Sequence, residues 1–211
     1  MKSLDRIVLA SASPRRLELL RALGLDVRVV PSSYGEPPDP LKSPRQLARS
    51  HARAKLLDVL AADTYSDPVI AADTVVDLGG IAYGKPRDEA DAVRMLHELS
   101  GREHLVHTAF AMAFNPPDGS GDSKAEIIEE CESTTVRFVR LDRAQIERYV
   151  QTGQPLDKAG AYGIQGIGAA LIEAIDGDFY TVMGFPLGKF VRSLSRLGFS
   201  PAIPKTMQTH S

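Results

Sequence analysis

An α/β fold, with a mixed elongated sheet, flanking helices and two lobes around a central cleft, follows from three features of the 211-residue sequence. Short apolar runs alternate with helix-period segments through the first half, as in strands joined by helical crossovers. Strand-like segments then cluster between His104 and Leu141. Turn-forming Gly, Pro, Asn and Asp punctuate nearly every element, yet no repeat or clear linker divides the chain, so one domain over residues 1–211 is expected.

The elements can be justified in order. Ile7-Val8-Leu9-Ala10 reads as a strand, followed by the tight loop Ser11-Ala12-Ser13. Ser13 suits an N-cap and Pro14 the first helical position, where its missing N–H costs nothing. The leucine-rich helix stops at Gly24. Arg15 and Arg16 fall in its first turn, where the helix dipole disfavours cations unless an anion completes the site. A plain capped helix with two surface arginines is the alternative. Val27 to Val30 forms a second strand, and Pro31 to Pro40 a polar loop carrying Glu36. Ser43-Pro44 repeats the capping signature and opens a helix whose apolar face runs Leu47, Ala48, Ala52, Leu56, Val59, Leu60, with Lys55 among them.

Val69-Ile70-Ala71-Ala72 is continuous and apolar, as in a buried central strand. Asp73 interrupts it, and a carboxylate there is costly unless paired, ligated or used. The strand resumes through Thr74 and Val75 to Asp77, expected to be a solvated hairpin residue, and returns as Ile81-Ala82-Tyr83. A helix from about Asp88 to Leu99 stops at Gly101. His104–Phe114 is a strand, 115–122 a turn-rich mobile loop, and 126–141 one long strand or two. Asp142 caps a fourth helix that ends at Gly153. Asp157 to Gly168 is glycine-dense without dinucleotide or P-loop spacing. Asp157 and Lys158 are expected to pair with each other. Ala169–Ile175 reads as a strand, Asp176-Gly177-Asp178 as a turn, Pro186–Leu197 as a last helix, and 200–211 as a frayed tail.

Composition bounds the function. The net charge is −2, so no general affinity for nucleic acid follows, and any pull on anions is local. No apolar run is long enough to span a bilayer, and residues 1–6 lack a signal-peptide core. The single cysteine, Cys131, precludes an internal disulfide; a cytoplasmic location is expected. His51, His97, His104, His107 and His210 show no metal-ligand spacing, so surface or packing roles are expected.

Five blocks stand out in order: Ser-x-Ser-Pro-Arg-Arg from Ser11, Ala-Asp-Thr-Val-Val from Ala72, Gly-Lys-Pro from Gly84, Asp-Lys-Ala-Gly-Ala-Tyr-Gly-Ile-Gln-Gly from Asp157, and Gly-Asp-Phe-Tyr-Thr-Val-Met-Gly-Phe-Pro-Leu from Gly177. In this order they resemble the Maf family of nucleoside triphosphate pyrophosphatases, from about Ile7 to Leu197. The long 115–125 loop and the C-terminal tail depart from the family without touching a motif. The resemblance implies hydrolysis of a nucleoside triphosphate to monophosphate and pyrophosphate, with a divalent metal, Mg²⁺ or Mn²⁺, and a homodimer. It makes Asp73 the proton acceptor and links Arg15, Thr74 and Gln165 to substrate choice. Ser13, Arg16, Lys55 and Lys85 match phosphate-facing positions, and Glu36 an acidic residue that helps hold the metal together with Asp73. The Ser-Pro-Arg-Arg and Tyr-Gly-Ile-Gln-Gly blocks are similar to the branch acting on dTTP and UTP; the branch acting on 7-methyl-GTP is the alternative.

Residue chemistry agrees. Arg15, Arg16, Lys55 and Lys85 could neutralise a triphosphate, and phosphoryl transfer depends on positioning and charge neutralisation more than on covalent chemistry. Glu36 and Asp73 are hard oxygen ligands of the kind Mg²⁺ takes in ones and twos. The Gln165 amide offers a donor and an acceptor, matching O4 and N3–H of uracil or thymine; cytosine presents the reverse. A haloacid-dehalogenase-type phosphatase is one rival, although Asp73-Thr74-Val75 lacks that family's second aspartate. A nucleotide-binding regulator of cell division without turnover is the other.

Overall fold

The computed structural model describes residues 2–114 and 126–201. Strands β1 (Lys2–Leu4) and β2 (Arg6–Leu9) precede helix α1 (Pro14–Ala22) and β3 (Asp26–Val29). Helix α2 (Pro44–Ala62) leads to β4 (Val69–Leu78) and the short return strand β5 (Ile81–Tyr83). Then come α3 (Glu89–Leu99), β6 (Glu103–Phe114), β7 (Glu126–Phe138) and α4 (Arg143–Val150). After three 3₁₀ turns between Gln154 and Leu171, β8 (Ile172–Asp176), α5 (Phe179–Met183), α6 (Leu187–Arg196) and β9 (Phe199–Pro201) complete the chain.

The main sheet runs β3-β2-β4-β6-β7-β8, with β5 paired to β4. β3 and β4 flank β2 in parallel, the arrangement that helical crossovers require. β4, β6, β7 and β8 are antiparallel to one another in turn, with Asp73 opposite Ala109 and Thr74 opposite Thr108. The sheet is therefore mixed, as the sequence implies.

Side chains alternate along β4, and the alternation builds the cleft. Val69, Ala71 and Val75 face α2, whose Ala48, Ala52 and Leu56 meet Ala109, Ala111 and Ala113 of β6. Those alanines leave room for the helix to lie close to the sheet. On the opposite face Ile70 and Ala72 join one apolar cluster with α1, α6, Phe110 and Met112. Val76 and Leu78 join a second cluster with α3, α4, Val106 and Phe138. Between the two clusters lie Thr74 of β4 and Thr108 of β6. That polar interruption divides one face of the sheet into two hydrophobic bodies.

Several expectations are corrected. Residues 169–171 are 3₁₀ rather than strand, and β8 begins only at Ile172. The segment from Glu126 is one strand ending at Phe138. The start of the expected tail is ordered: Phe199–Pro201 pairs in parallel with Lys2–Leu4, two strands too short to be legible in sequence. The expected mobile loop at 115–122 and the rest of the tail lie outside the described residues. Asp77 is a hairpin residue as expected but is half-buried rather than fully solvated: it accepts from the Gly80 backbone N–H at 2.7 Å and lies 3.2 Å from His107 Nε2. Among the described residues, no helix is long and apolar enough to cross a membrane.

Candidate active site

A cavity of about 1290 Å³ opens where the polar break in the sheet meets α1, α2 and the 31–40 loop. Ser13, Arg15, Arg16, Glu36, Lys55, Asp73, Thr74, Lys85 and Gln165 all line it. Every candidate residue is thus brought together, although they span more than 150 positions of the chain.

Asp73 sits on the α2-facing side of β4 and is buried. Its Oδ1 accepts from Lys55 Nζ at 2.6 Å, and Lys55 also contacts Glu36 Oε1. One ammonium therefore bridges two carboxylates from different elements. Lys85, largely exposed, lies 3.7 Å from the same Glu36 oxygen. The two acids are pushed in opposite directions. Burial raises the Asp73 carboxyl above the usual carboxylate range, and the Lys55 and Arg16 cations do not fully offset it. Burial also acts on Glu36, but Lys55, Lys85 and Arg16 together outweigh it and hold that carboxyl below its ordinary value. Two carboxylates separated in this way suit two tasks, one moving a proton and one staying charged.

Glu36 adopts φ 52°, a left-handed conformation that a non-glycine residue rarely takes. The loop is tied down on the N-terminal side of it. Asp58 of α2 accepts from Ser32 Oγ at 2.7 Å and from the Ser33 N–H at 2.7 Å, and Tyr34 Oη lies 3.3 Å from His51 Nδ1. Such fastening is what allows local strain to persist.

Adjacent residues on a helix point about 100° apart, and the two arginines diverge accordingly. Arg16 turns inward and is buried. It donates from Nε to the Gly184 carbonyl at 2.9 Å, from one terminal nitrogen to Ser11 Oγ at 3.0 Å, and from the other to Thr74 Oγ1 at 3.2 Å. The expected phosphate-facing arginine is thus largely engaged by the protein, with two of its five N–H groups to spare. Thr74 Oγ1 lies 3.0 Å from Thr108 Oγ1, which donates to the Thr181 carbonyl at 2.7 Å. Arg15 points the other way, toward Asp157, at 3.5 Å. The expected Asp157–Lys158 pair is present at 2.5 Å, but Asp157 also reaches across to α1.

Ser13 stands at the N-cap of α1, yet its side chain makes no capping bond, contrary to the expected role. The hydroxyl and the free N–H groups of the first turn are left for a ligand. Gln165 is exposed, and its amide has no hydrogen-bond partner among the described residues.

Sequence reasoning missed His51. It was expected to be a surface or packing residue, but it is buried in the wall of the cavity, where desolvation lowers its pKa. Its position four residues before Lys55, on the same helix face, could have revealed it. His104 and His107 are also buried and hydrogen-bonded, to Tyr162 Oη at 2.7 Å and Ser133 Oγ at 2.8 Å.

Comparison with known proteins follows the same outline. The chain is 46% identical over 196 residues to the dTTP/UTP pyrophosphatase of Methanosarcina mazei, a match covering 92% of this chain and 95% of that protein. It is 43% identical over 195 residues to the dTTP/UTP pyrophosphatase of Thermus thermophilus, covering 92% and 96%. A human protein named "Probable bifunctional dTTP/UTP pyrophosphatase/methyltransferase protein" is 43% identical over 205 residues; the match covers 93% of this chain but only 32% of that longer protein. Among solved structures, a dITP/XTP pyrophosphatase from Mycobacterium abscessus aligns over 91% of this chain and 98% of its own, at 17% identity and a TM-score of 0.41, too distant to bear on the site. The model of Maf-like proteins matches residues 6–197, and the chain belongs to the Maf family.

Proposed function

We propose that this protein is a nucleoside triphosphate pyrophosphatase acting on dTTP and UTP, releasing the monophosphate and pyrophosphate. The observation that carries the proposal is the pairing of Asp73 and Glu36 on one lysine, with their proton affinities displaced in opposite directions. The names of the relatives supply the substrate class.

In this mechanism Asp73 orients a water molecule and accepts its proton as the oxygen attacks the α-phosphorus. Its raised proton affinity makes it a better base than an exposed aspartate. Lys55 holds the carboxylate in place and supplies positive charge. Lys85 and the spare N–H groups of Arg16 neutralise charge on the departing pyrophosphate. The N-terminus of α1, with the uncapped Ser13 hydroxyl, offers donors to phosphate oxygens.

The donor set fits a divalent ion of the Mg²⁺ kind. Among the described residues no group of three His, Cys, Asp or Glu gathers into a metal cage. Mg²⁺ commonly takes only one or two protein carboxylates and fills its shell with water and substrate phosphate. Glu36, held ionised, and Asp73 would hold it. When bound, such an ion supplies further neutralisation of phosphate charge.

The test is product analysis with UTP and dTTP in the presence of Mg²⁺. Pyrophosphate and the monophosphate are expected. Orthophosphate alone indicates a phosphatase, and no product a nucleotide-binding regulator. Asp73→Asn is expected to lower kcat by about 10²–10⁴-fold, the usual range for a lost general base. Near-wild-type turnover by a folded Asn variant removes Asp73 from the role of base.

A further inference from the structure

We propose that Asp157 is a positioning residue for nucleobase choice: it holds the Arg15 guanidinium at the base-reading end of the cavity rather than at the phosphate end. This rests on the nucleotide-pyrophosphatase assignment above and adds the direction in which the substrate lies.

The charges in the cavity divide into two groups. Lys55, Lys85 and Arg16 are the cations that act most strongly on Glu36, and Lys55 and Arg16 those that act most strongly on Asp73. Arg15 instead faces Asp157, and both charges act on Tyr149. Tyr149 Oη accepts from the Gly163 N–H at 3.3 Å, two residues before Gln165. Arg15 therefore stands beside the segment that carries Gln165, whose amide has no hydrogen-bond partner among the described residues.

Asp157 is itself braced. Lys158 Nζ donates to its Oδ1 at 2.5 Å and to the Gln154 carbonyl, folding the 154–158 turn around the carboxylate. The contact with Arg15 is a single nitrogen at 3.5 Å, so most of the guanidinium fork remains free to donate elsewhere.

Chemistry then decides what can lie there. A triphosphate placed against Arg15 would also lie against the Asp157 carboxylate, and like charges repel. A pyrimidine carbonyl is neutral and accepts hydrogen bonds from a fixed guanidinium without that penalty. An arginine whose charge is partly met by a carboxylate is suited to directional donation more than to bulk neutralisation. The phosphates then extend toward Ser13, Arg16, Lys55 and Lys85, and the base toward Arg15 and Gln165.

The test is the ratio of kcat/KM for UTP over CTP, measured at one Mg²⁺ concentration for wild type, Asp157→Asn and Asp157→Glu. Asp157→Asn is expected to lower the ratio about tenfold, chiefly through KM for UTP, and Asp157→Glu to restore most of it. An unchanged ratio in a folded Asn variant overturns the proposal, as does a fall in kcat equal for both nucleotides. If Asp157→Asn fails to fold, Arg15→Lys carries the same expectation, because it keeps the charge and removes the fork. If Arg15 seats the phosphates instead, that variant weakens UTP and CTP equally and the proposal fails. Absence of pyrophosphate from the wild-type protein is a different outcome, and sinks the parent assignment.

Discussion

Lys55 is the residue on which the two acids depend. Its ammonium lowers the proton affinity of both Asp73 and Glu36, and its side chain is buried between them. Lys55→Met keeps the length of the side chain and removes the charge. Asp73 then lies buried beside Glu36 with one less cation, so both carboxyl groups bind protons more tightly. Since the proposed mechanism needs Asp73 ionised, the acidic limb of the kcat/KM profile is expected to move to higher pH. Breaking a buried pair from one side also costs stability, on the order of 3 kcal/mol, limited by the ability of Asp73 to protonate. A pH–rate profile and urea unfolding of the same variant check both. A wild-type acidic limb in Lys55→Met would show that the lysine does not tune Asp73. Asp73 was legible in sequence because an acid breaks an apolar strand; Lys55 stood out only through the family resemblance, because a lysine on an amphipathic helix ordinarily snorkels to solvent.

The glycine-dense block shows what an element can hide from sequence. Gly168 approaches another strand of backbone so closely that an added Cβ would stand 2.2 Å from the Gly163 carbonyl oxygen and 2.8 Å from Tyr149 Oη. That contact folds the 3₁₀ turns back on themselves and sets the position of Gln165 between them. Glycine spacing alone suggested no known nucleotide loop, since the reason for these glycines is a contact within the block, visible only once it is folded. Gly168→Ala is expected to destabilise the protein by about 1–3 kcal/mol, the range for overpacking, and to lower UTP:CTP selectivity as Gln165 shifts. Gly84→Ala, where a Cβ meets nothing within 4 Å, should leave the melting temperature within about a degree. Equal melting temperatures for the two variants would mean that the Gly163–Gly168 approach relaxes at no cost. The α2 helix is the opposite case. Its Ser43-Pro44 start and apolar face were read directly, and the structure adds the complete capping box, with the Ser43 hydroxyl accepting from the Gln46 N–H.

For the whole molecule, the order of strands and helices and the existence of a cleft were legible because each element carries its own period, whereas the polar break at the cleft's floor was not, because it arises from two strands meeting. Thr74 and Thr108 are unremarkable apart, and only their register places one polar pair between two apolar clusters. The packing role expected of some histidines holds for His104 and His107, but which of them would pack was hidden for the same reason: burial is a property of the assembled sheet. His104 gives this a measurable consequence for global stability. It is buried against Phe138 and Tyr162, its Nδ1 has no partner among the described residues, and desolvation lowers its pKa from 6.5 to about 4. Above pH 6.5 the ring is neutral in folded and unfolded chains alike, and it adds no pH dependence. Between pH 6.5 and 4 the unfolded chain takes up a proton that the folded chain refuses, so stability falls as pH falls. The slope from this residue is one proton, about 1.4 kcal/mol per pH unit. His104→Gln keeps a hydrogen-bonding group opposite Tyr162 and cannot titrate. Denaturant unfolding between pH 6 and 4.5 is expected to show a steeper loss in wild type than in His104→Gln, by close to that one-proton slope. Parallel curves would mean that His104 gains its proton in the folded state, and that the aromatic cluster around it opens to accept the charge.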